Sequence, residues 1–351
     1  MKRFIAVVAC ATVFISSCGS GSKPAPETKP TSLTLVAYDS FSVKPEAFDV
    51  FTKTTGIAVK VVTAGDAGAM LTKAALTAGN PEGDVMWGVD NTLLARALQG
   101  KVFTPYASPQ LSKLNSSAVD FAPGHEVTPV DEGDVCINFD KAWFATNKLD
   151  PPTTLADLTK PEYKDLLVVE NPATSSTGLA FLLATIAKYG DSGWQQFWKD
   201  LRSNGVKVVD SWDQAYSEVF SGSTGKGPRP LVVSYGSSPP AEVIFADPRP
   251  ETAPTGVMAA SCFHQVEFAG VLRGTKHPTA AGQLIDYLVS KGFQETLPLT
   301  LFVYPARVDA ALPQEFIDYT VRPTDSLTVT PAEIESKSKD WISTWNDIVV
   351  R

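Results

Sequence analysis

Apolar and polar positions take turns along the first folded stretch of the chain. Leu33-Thr34-Leu35-Val36-Ala37-Tyr38 alternates as a strand does, Phe48 to Thr54 has helical spacing and runs into Gly56, and Ile57-Ala58-Val59-Lys60-Val61-Val62 reads as a second strand. Ala69 to Ala78 predicts the next helix, stopped by Gly79-Asn80-Pro81, and Asp84-Val85-Met86-Trp87-Gly88 a third strand. Strand, helix, strand, helix, strand predicts a parallel sheet between helical layers. Open sheets of this kind bind ligands beyond the carboxyl ends of their strands, which singles out the loops after Val36, Val62 and Trp87, carrying Tyr38, Asp66 and Asp90.

A second unit of the same kind follows. Val135-Cys136-Ile137-Asn138-Phe139 is strand-like, a helix start is read at 151 to 158, and Leu166 to Val169 is again a strand. The hydroxyl-rich run Asn171 to Gly178 then precedes the apolar helix Leu179 to Tyr189. Hydroxyls there cap the helix, and the same geometry offers backbone N–H groups to a polar or anionic ligand atom. Val206 to Val209 and Leu231 to Tyr235 are strands with the helix Asp213 to Phe220 between them. Phe263 to Val271 reads as a long strand leading to the helix Thr279 to Ser290, and Trp341 to Val349 as an amphipathic closing helix. Two such units, with the chain returning to the first, predict an α/β fold of two lobes, a clamshell with two crossover strands as its hinge. The expected division is 33–137 with 265–351 as lobe 1, closed by the C-terminal helix, and 138–264 as lobe 2.

The residues ahead of this fold change the compartment. Met1-Lys2-Arg3 is positive and Phe4 to Ile15 apolar, too short for a spanning helix of roughly 20 residues, so 1–17 is expected to be a signal peptide. Ile15-Ser16-Ser17-Cys18 has the form of a lipobox, predicting lipid on Cys18. Residues 18–32 hold no large apolar side chain and read as a flexible tether. The mature chain is thus expected outside the cytoplasm, anchored to the cell membrane by its N-terminal lipid. Losing Lys2 and Arg3 takes the formal net charge from −8 to −10, which disfavours nucleic acid as a partner.

Of four cysteines, Cys10 leaves with the signal and Cys18 takes the lipid. Cys136 and Cys262 remain, and in an oxidising compartment they are expected to pair as a disulfide between the crossover strands. His125, His264 and His277 have no ligand spacing, so no metal site is expected. The chain has no Gly-x-Ser-x-Gly elbow, no Cys/His dyad and no His-Glu-x-x-His. Gly222-Ser223-Thr224-Gly225-Lys226-Gly227 has its glycines and hydroxyls wrongly placed for a phosphate loop and reads as a polar hairpin. What remains is a set of aromatics and carboxylates at strand ends: Tyr38, Asp66, Asp90, Trp212, Tyr235 and Phe302. One such aromatic is more often core than ligand contact; their joint placement on loops facing one cleft shifts the balance.

Over nearly all of its mature length the chain resembles the thiamine-binding periplasmic proteins of ABC importers. The resemblance is carried, in order, by Tyr38-Asp39-Ser40-Phe41, Asp84-Val85 with Gly88-Val89-Asp90-Asn91 and Leu93-Leu94, Thr174-Ser175-Ser176-Thr177-Gly178-Leu179, and Ser211-Trp212-Asp213-Gln214-Ala215-Tyr216. Leu231 to Tyr235 with Ser238-Pro239, Gln265-Val266-Glu267, Tyr304-Pro305 and Trp341-Ile342-Ser343-Thr344-Trp345 complete it. The resemblance implies a monomeric solute-binding protein with no catalytic step and no cofactor. Its ligand would be thiamine or a thiamine phosphate, its partner an ABC permease, and Tyr38, Asp66, Ser175, Ser176, Trp212 and Tyr235 would stand at ligand-contacting positions. Phe302 replaces a family tryptophan before Tyr304-Pro305, Ala241 stands where a tyrosine follows the Ser-Pro pair, and the loop after Phe41 lacks a further tryptophan. The alternatives carried forward are a binder of a related aminopyrimidine or a polyamine, and an enzyme that degrades thiamine, which needs a free cysteine in the cleft.

Overall fold

The computed structural model describes residues 29–351; the leader, Cys18 and most of the tether expected from the sequence lie outside the described residues. In the first lobe β1 (Ser32–Ala37), β2 (Ala58–Thr63) and β3 (Val85–Asp90) run parallel in the order β2-β1-β3. The chain leaves this lobe through a short β4 (Phe103–Thr104) and a long β5 (Thr128–Asp140). In the second lobe β6 (Leu167–Glu170) lies between β7 (Lys207–Val209) and β8 (Leu231–Tyr235), parallel to both. The return strand β9 (Thr255–Leu272) is antiparallel to β3 and β5, and β10 (Tyr304–Pro305) adds to β5. One sheet results, ordered β2-β1-β3-β9-β5-β8-β6-β7.

β5 and β9 are the two crossover strands. Through Val135–Phe139, β5 pairs with β8 of the second lobe, and through Glu267–Val271, β9 pairs with β3 of the first. Both are longer than the apolar alternation predicts: β5 starts at Thr128 and β9 at Thr255. Their extensions carry buried polar residues, Asp131, Glu132 and Asp134 on β5 and Thr255 and Ser261 on β9, which break the hydrophobic pattern without breaking the ladder. Cys136 and Cys262 tie the two strands together as a disulfide.

Helices cover both faces, and apolar side chains fill the layers between. The helix expected over Leu179 to Tyr189 begins at Ser176 and continues to Ser203, interrupted at Gly190, whose φ of 68° breaks the helical path. The expected helix Asp213 to Phe220 is instead a π-type turn, Gln214–Val219, and the start read at 151 to 158 is a short 3-10 turn, Leu155–Thr159. The C-terminal helix, Pro331–Val349, packs on the helix Ser176–Ser203 of the second lobe as well as on Leu94–Gln99 of the first. Trp345 meets Trp198 edge to face at 5.4 Å. A segment assigned to lobe 1 by the order of elements therefore straddles both lobes, since its buried Trp341 and Trp345 find their apolar partners across the hinge. Among the described residues no helix is long and apolar enough to cross a membrane.

Candidate functional site

The lobes meet above the crossover strands and enclose a cavity of about 320 Å³, within the size range of small-molecule sites. Its floor is the crossover pair: Asp131 and Gly133 of β5, Gln265 and Glu267 of β9. Each pair is two apart, so strand alternation puts both members on the same face, with the bare Gly133 backbone between the longer side chains. Tyr38, Ser40, Asp66 and Phe302 form the first lobe's wall, and Ser176, Trp212, Tyr216, Tyr235 and Glu242 the second's.

Tyr38 follows β1 directly and lies against Gly88, where β3 has φ +127° and a Cβ would stand 2.6 Å from the tyrosine ring. Only a glycine allows that backbone and that approach. The Tyr38 hydroxyl donates to Glu267 Oε2 at 3.4 Å, and burial raises its pKa well above the usual value.

Asp66 caps the helix Ala67–Leu76: Oδ1 accepts from the Ala67 N–H at 2.6 Å. Its other oxygen accepts the backbone N–H of Trp212, on the opposite lobe, at 2.8 Å. A second bridge stands beside it, from the Ala69 N–H to the Thr174 carbonyl at 3.1 Å. Gly68 makes room for it, since a Cβ there would lie 2.6 Å from that carbonyl oxygen. Burial raises the Asp66 pKa, against the hydrogen bonds from Trp212, Ala67 and Ser175 that favour the carboxylate.

Trp212 stacks on Tyr216 with ring centroids 4.9 Å apart and planes at 11°, and its indole N–H donates to Ser234 Oγ at 3.0 Å. The Tyr216 hydroxyl is taken by Glu242 at 2.9 Å. The result is a rigid aromatic shelf, held from behind by polar contacts, with Tyr235 beside it at 6.4 Å. At the mouth Phe302 meets Phe245 edge to face at 5.7 Å.

Six of the eight residues singled out from the sequence, Tyr38, Asp66, Ser176, Trp212, Tyr235 and Phe302, line this cavity. Ser175 does not; it is buried behind the wall, with its hydroxyl 2.9 Å from Thr177 Oγ1 and hydrogen-bonded to Asp66. Asp90 is also off the cavity. One of its oxygens accepts from Thr92 and the Leu93 N–H, and the other holds Gln265, while burial raises its pKa to about 6.

Sequence reasoning missed the floor carboxyls Asp131 and Glu267 and the second-lobe pair Tyr216 and Glu242. For Glu267 the signal was present in Gln265-Val266-Glu267, two polar residues at strand period ahead of the apolar run Phe268 to Leu272. Five carboxyl groups line the cavity, from Asp66, Asp131, Asp213, Glu242 and Glu267, and no Lys, Arg or His does. Such a lining accepts a flat cation: rings stack on it and attract its charge, and carboxylates offset the loss of its hydration. Among the described residues no group of three or more His, Cys, Asp or Glu is arranged to hold a metal ion.

Residues 81–323 match the model of the bacterial extracellular solute-binding protein family. The chain is 30% identical over 328 residues to a thiamine-binding periplasmic protein of Salmonella typhimurium, covering 91% of this chain and 94% of the relative. It is 29% identical over 328 residues to a protein of the same name from Escherichia coli, with the same coverage. Among solved structures, a periplasmic thiamin binding protein superposes with a TM-score of 0.78 at 28% identity, over 91% of this chain and 96% of that one. The periplasmic binding protein AfuA of Actinobacillus pleuropneumoniae shares the fold alone, with a TM-score of 0.76 at 15% identity over 91% of this chain and 98% of that one.

Proposed function

The chain belongs to the bacterial extracellular solute-binding protein family, and from that premise we propose that it captures thiamine between its lobes and delivers it to the membrane permease of an ABC importer. The observation that carries the ligand is the cavity lining, a stacked aromatic shelf together with five carboxyl groups and no basic residue. Thiamine joins a permanent thiazolium cation to a flat aminopyrimidine. Trp212 and Tyr216 supply a face for a ring, Asp131 and Glu267 supply negative charge, and the hydroxyls of Ser176, Thr177 and Ser238 supply partners for the pyrimidine nitrogens.

A phosphorylated vitamer would meet these carboxyls with only hydroxyls and the start of the helix Ser176–Ser203 to receive its phosphate. Unphosphorylated thiamine is the favoured ligand. Delivery follows from closure, because the two lobes enclose the ligand and present one joint surface that the open form lacks. No chemical step is assigned. The rival enzyme needs a free cysteine in the cleft, and Cys136 and Cys262 are bonded to each other. The lipid on Cys18 would hold the protein beside its permease.

Calorimetric titration of the mature chain tests the reading, with thiamine, its phosphates, hydroxymethylpyrimidine and spermidine as ligands. Thiamine is expected to bind with a Kd of about 1 μM or tighter, on the order of −8 kcal/mol, ahead of its phosphates. Tighter binding of spermidine would transfer the site to polyamines, and absence of heat with every thiamine vitamer would overturn the proposal.

A further inference from the structure

Asp131 and Glu267 stand directly opposite each other in the β5–β9 ladder. They are 3% and 7% exposed, line the cavity floor, and converge on one indole N–H, that of Trp87. Like charges facing each other across a ladder repel, and two carboxylates in contact out of water cannot both ionise.

The neighbours supply no cation to relieve the pair. Trp87 of β3 points its indole N–H at both, 2.6 Å from Glu267 Oε2 and 3.1 Å from Asp131 Oδ2. Tyr38, after β1, donates its hydroxyl to Glu267. On β3 Asp90 is the ladder partner of Glu267 on its other side, and from β8 Tyr235 faces the pair as a neutral phenol. Glu132, next along β5, is engaged elsewhere, by Asn115 at 2.7 Å and Arg322 at 3.6 Å. Every titratable group facing the pair is thus a neutral donor or another acid. Desolvation and this acidic company hold both carboxyls above their usual range.

We infer that Asp131 and Glu267 form a proton-exchanging counter-charge, which shares a proton while the cleft holds no cation and expels it when a ligand cation arrives on the floor. The inference rests on the reading of the ligand as thiamine. A permanent cation beside the pair replaces the shared proton, leaving both carboxylates ionised, and the proton passes to solvent. Affinity for a cationic ligand then rises with pH, toward roughly tenfold per pH unit where release is complete. A neutral ring of similar shape gains nothing.

The test is calorimetric titration of the mature chain with thiamine between pH 6 and 8, in buffers of different ionisation enthalpy, so that the protons exchanged are counted directly. Hydroxymethylpyrimidine is titrated alongside to account for the ligand's own proton. Close to one proton released per thiamine is expected, with none for the pyrimidine. In Glu267→Gln, whose amide cannot ionise, release is expected to vanish and affinity to become flat with pH; Asp131→Asn serves as the second variant. Thiamine binding with no proton released by the parent protein overturns the counter-charge and leaves the ligand assignment standing. Absence of thiamine binding in the parent overturns both.

Discussion

The backbone N–H of Trp212, in the second lobe, is bonded at 2.8 Å to the carboxylate of Asp66, in the first. Asp66 spends its other oxygen on the N-terminus of its own helix. The two functions cannot both survive amidation, because one end of an asparagine is a donor and would face an N–H whichever way the amide turned. Asp66→Asn is therefore expected to weaken thiamine and a neutral aminopyrimidine together, by tenfold or more, as for a hydrogen bond to a charged group of roughly 1.5 to 3 kcal/mol. Calorimetry with both ligands checks it, and small-angle scattering of the ligand-free variant should show a wider opening. Loss confined to thiamine would make Asp66 a counter-charge and not a latch.

The disulfide joins residues 126 apart in sequence, so it closes a long loop in the unfolded chain, worth on the order of 4 to 5 kcal/mol in the chain-entropy model. Cys136→Ala with Cys262→Ala is expected to lower unfolding stability by up to that amount while thiamine affinity stays within about threefold, since neither cysteine lines the cavity. Denaturant titration and calorimetry measure the two separately. Two free thiols in denatured, unreduced parent protein would show that the bond does not form.

Across the same ladder His264 faces Asp134, with Nδ1 3.4 Å from Oδ1. The hydrogen bond to Asp134 raises the imidazole pKa, aided by Asp134 and Glu132 charge and opposed by burial and Arg322. A group whose pKa is raised by folding stabilises fully below its unfolded value, near 6.5, and loses that contribution as pH climbs through the folded value. The parent is thus expected to be more stable than His264→Gln at pH 6, by no more than about 1 kcal/mol for a side chain 34% exposed, with the gap shrinking toward pH 8. Denaturant titrations at the two pH values decide it; a gap that widened with pH would mean the imidazole is neutral throughout.

Anchoring is tested apart from binding. Cys18→Ser is expected to move the protein from the detergent phase to the aqueous phase with no change in thiamine affinity, because the lipid proposed on Cys18 would supply attachment only. Partition of the variant unchanged from the parent would assign Cys18 no lipid.

How much of this was legible in the sequence depends on how far apart the partners lie. β1, β2 and β3 show as period-two runs, and the rule that ligands gather beyond strand ends finds Tyr38 and Asp66 without any knowledge of the fold. Trp212 and Tyr235 also stand at strand ends, but only the clamshell brings them across from Asp66, 146 residues distant in the case of Trp212. The resemblance puts Ser175 and Ser176 together, whereas the first turn of the helix sends Ser176 and Thr177 to the cavity and Ser175 back toward Asp66. Asp131 and Glu267 escaped because buried carboxyls inside a strand look like errors in an apolar pattern. Their meaning appears only when β5 and β9 are laid side by side.

The mouth of the cavity yields the last prediction. Phe302 sits at φ +57°, a conformation that costs a side chain with a Cβ roughly 1 to 2 kcal/mol, and its ring meets Phe245 of the opposite lobe edge to face. Phe245 is 69% exposed, so the pair spans the rim and leaves the floor untouched. Phe302→Ala and Phe302→Gly both delete the ring, and only the glycine also relieves the backbone. Both variants are expected to release thiamine faster, by roughly two- to tenfold for an aromatic pair of about 0.5 to 1.5 kcal/mol, with association nearly unchanged. Unfolding stability should separate them, the glycine variant standing above the alanine by some tenths to about 1 kcal/mol, because relief of the left-handed strain exceeds the extra freedom glycine gains in the unfolded chain. Stopped-flow dissociation and denaturant titration read the two effects independently. Parent-like release from Phe302→Ala would remove the rings from the gate, and equal stability of the two variants would remove the strain.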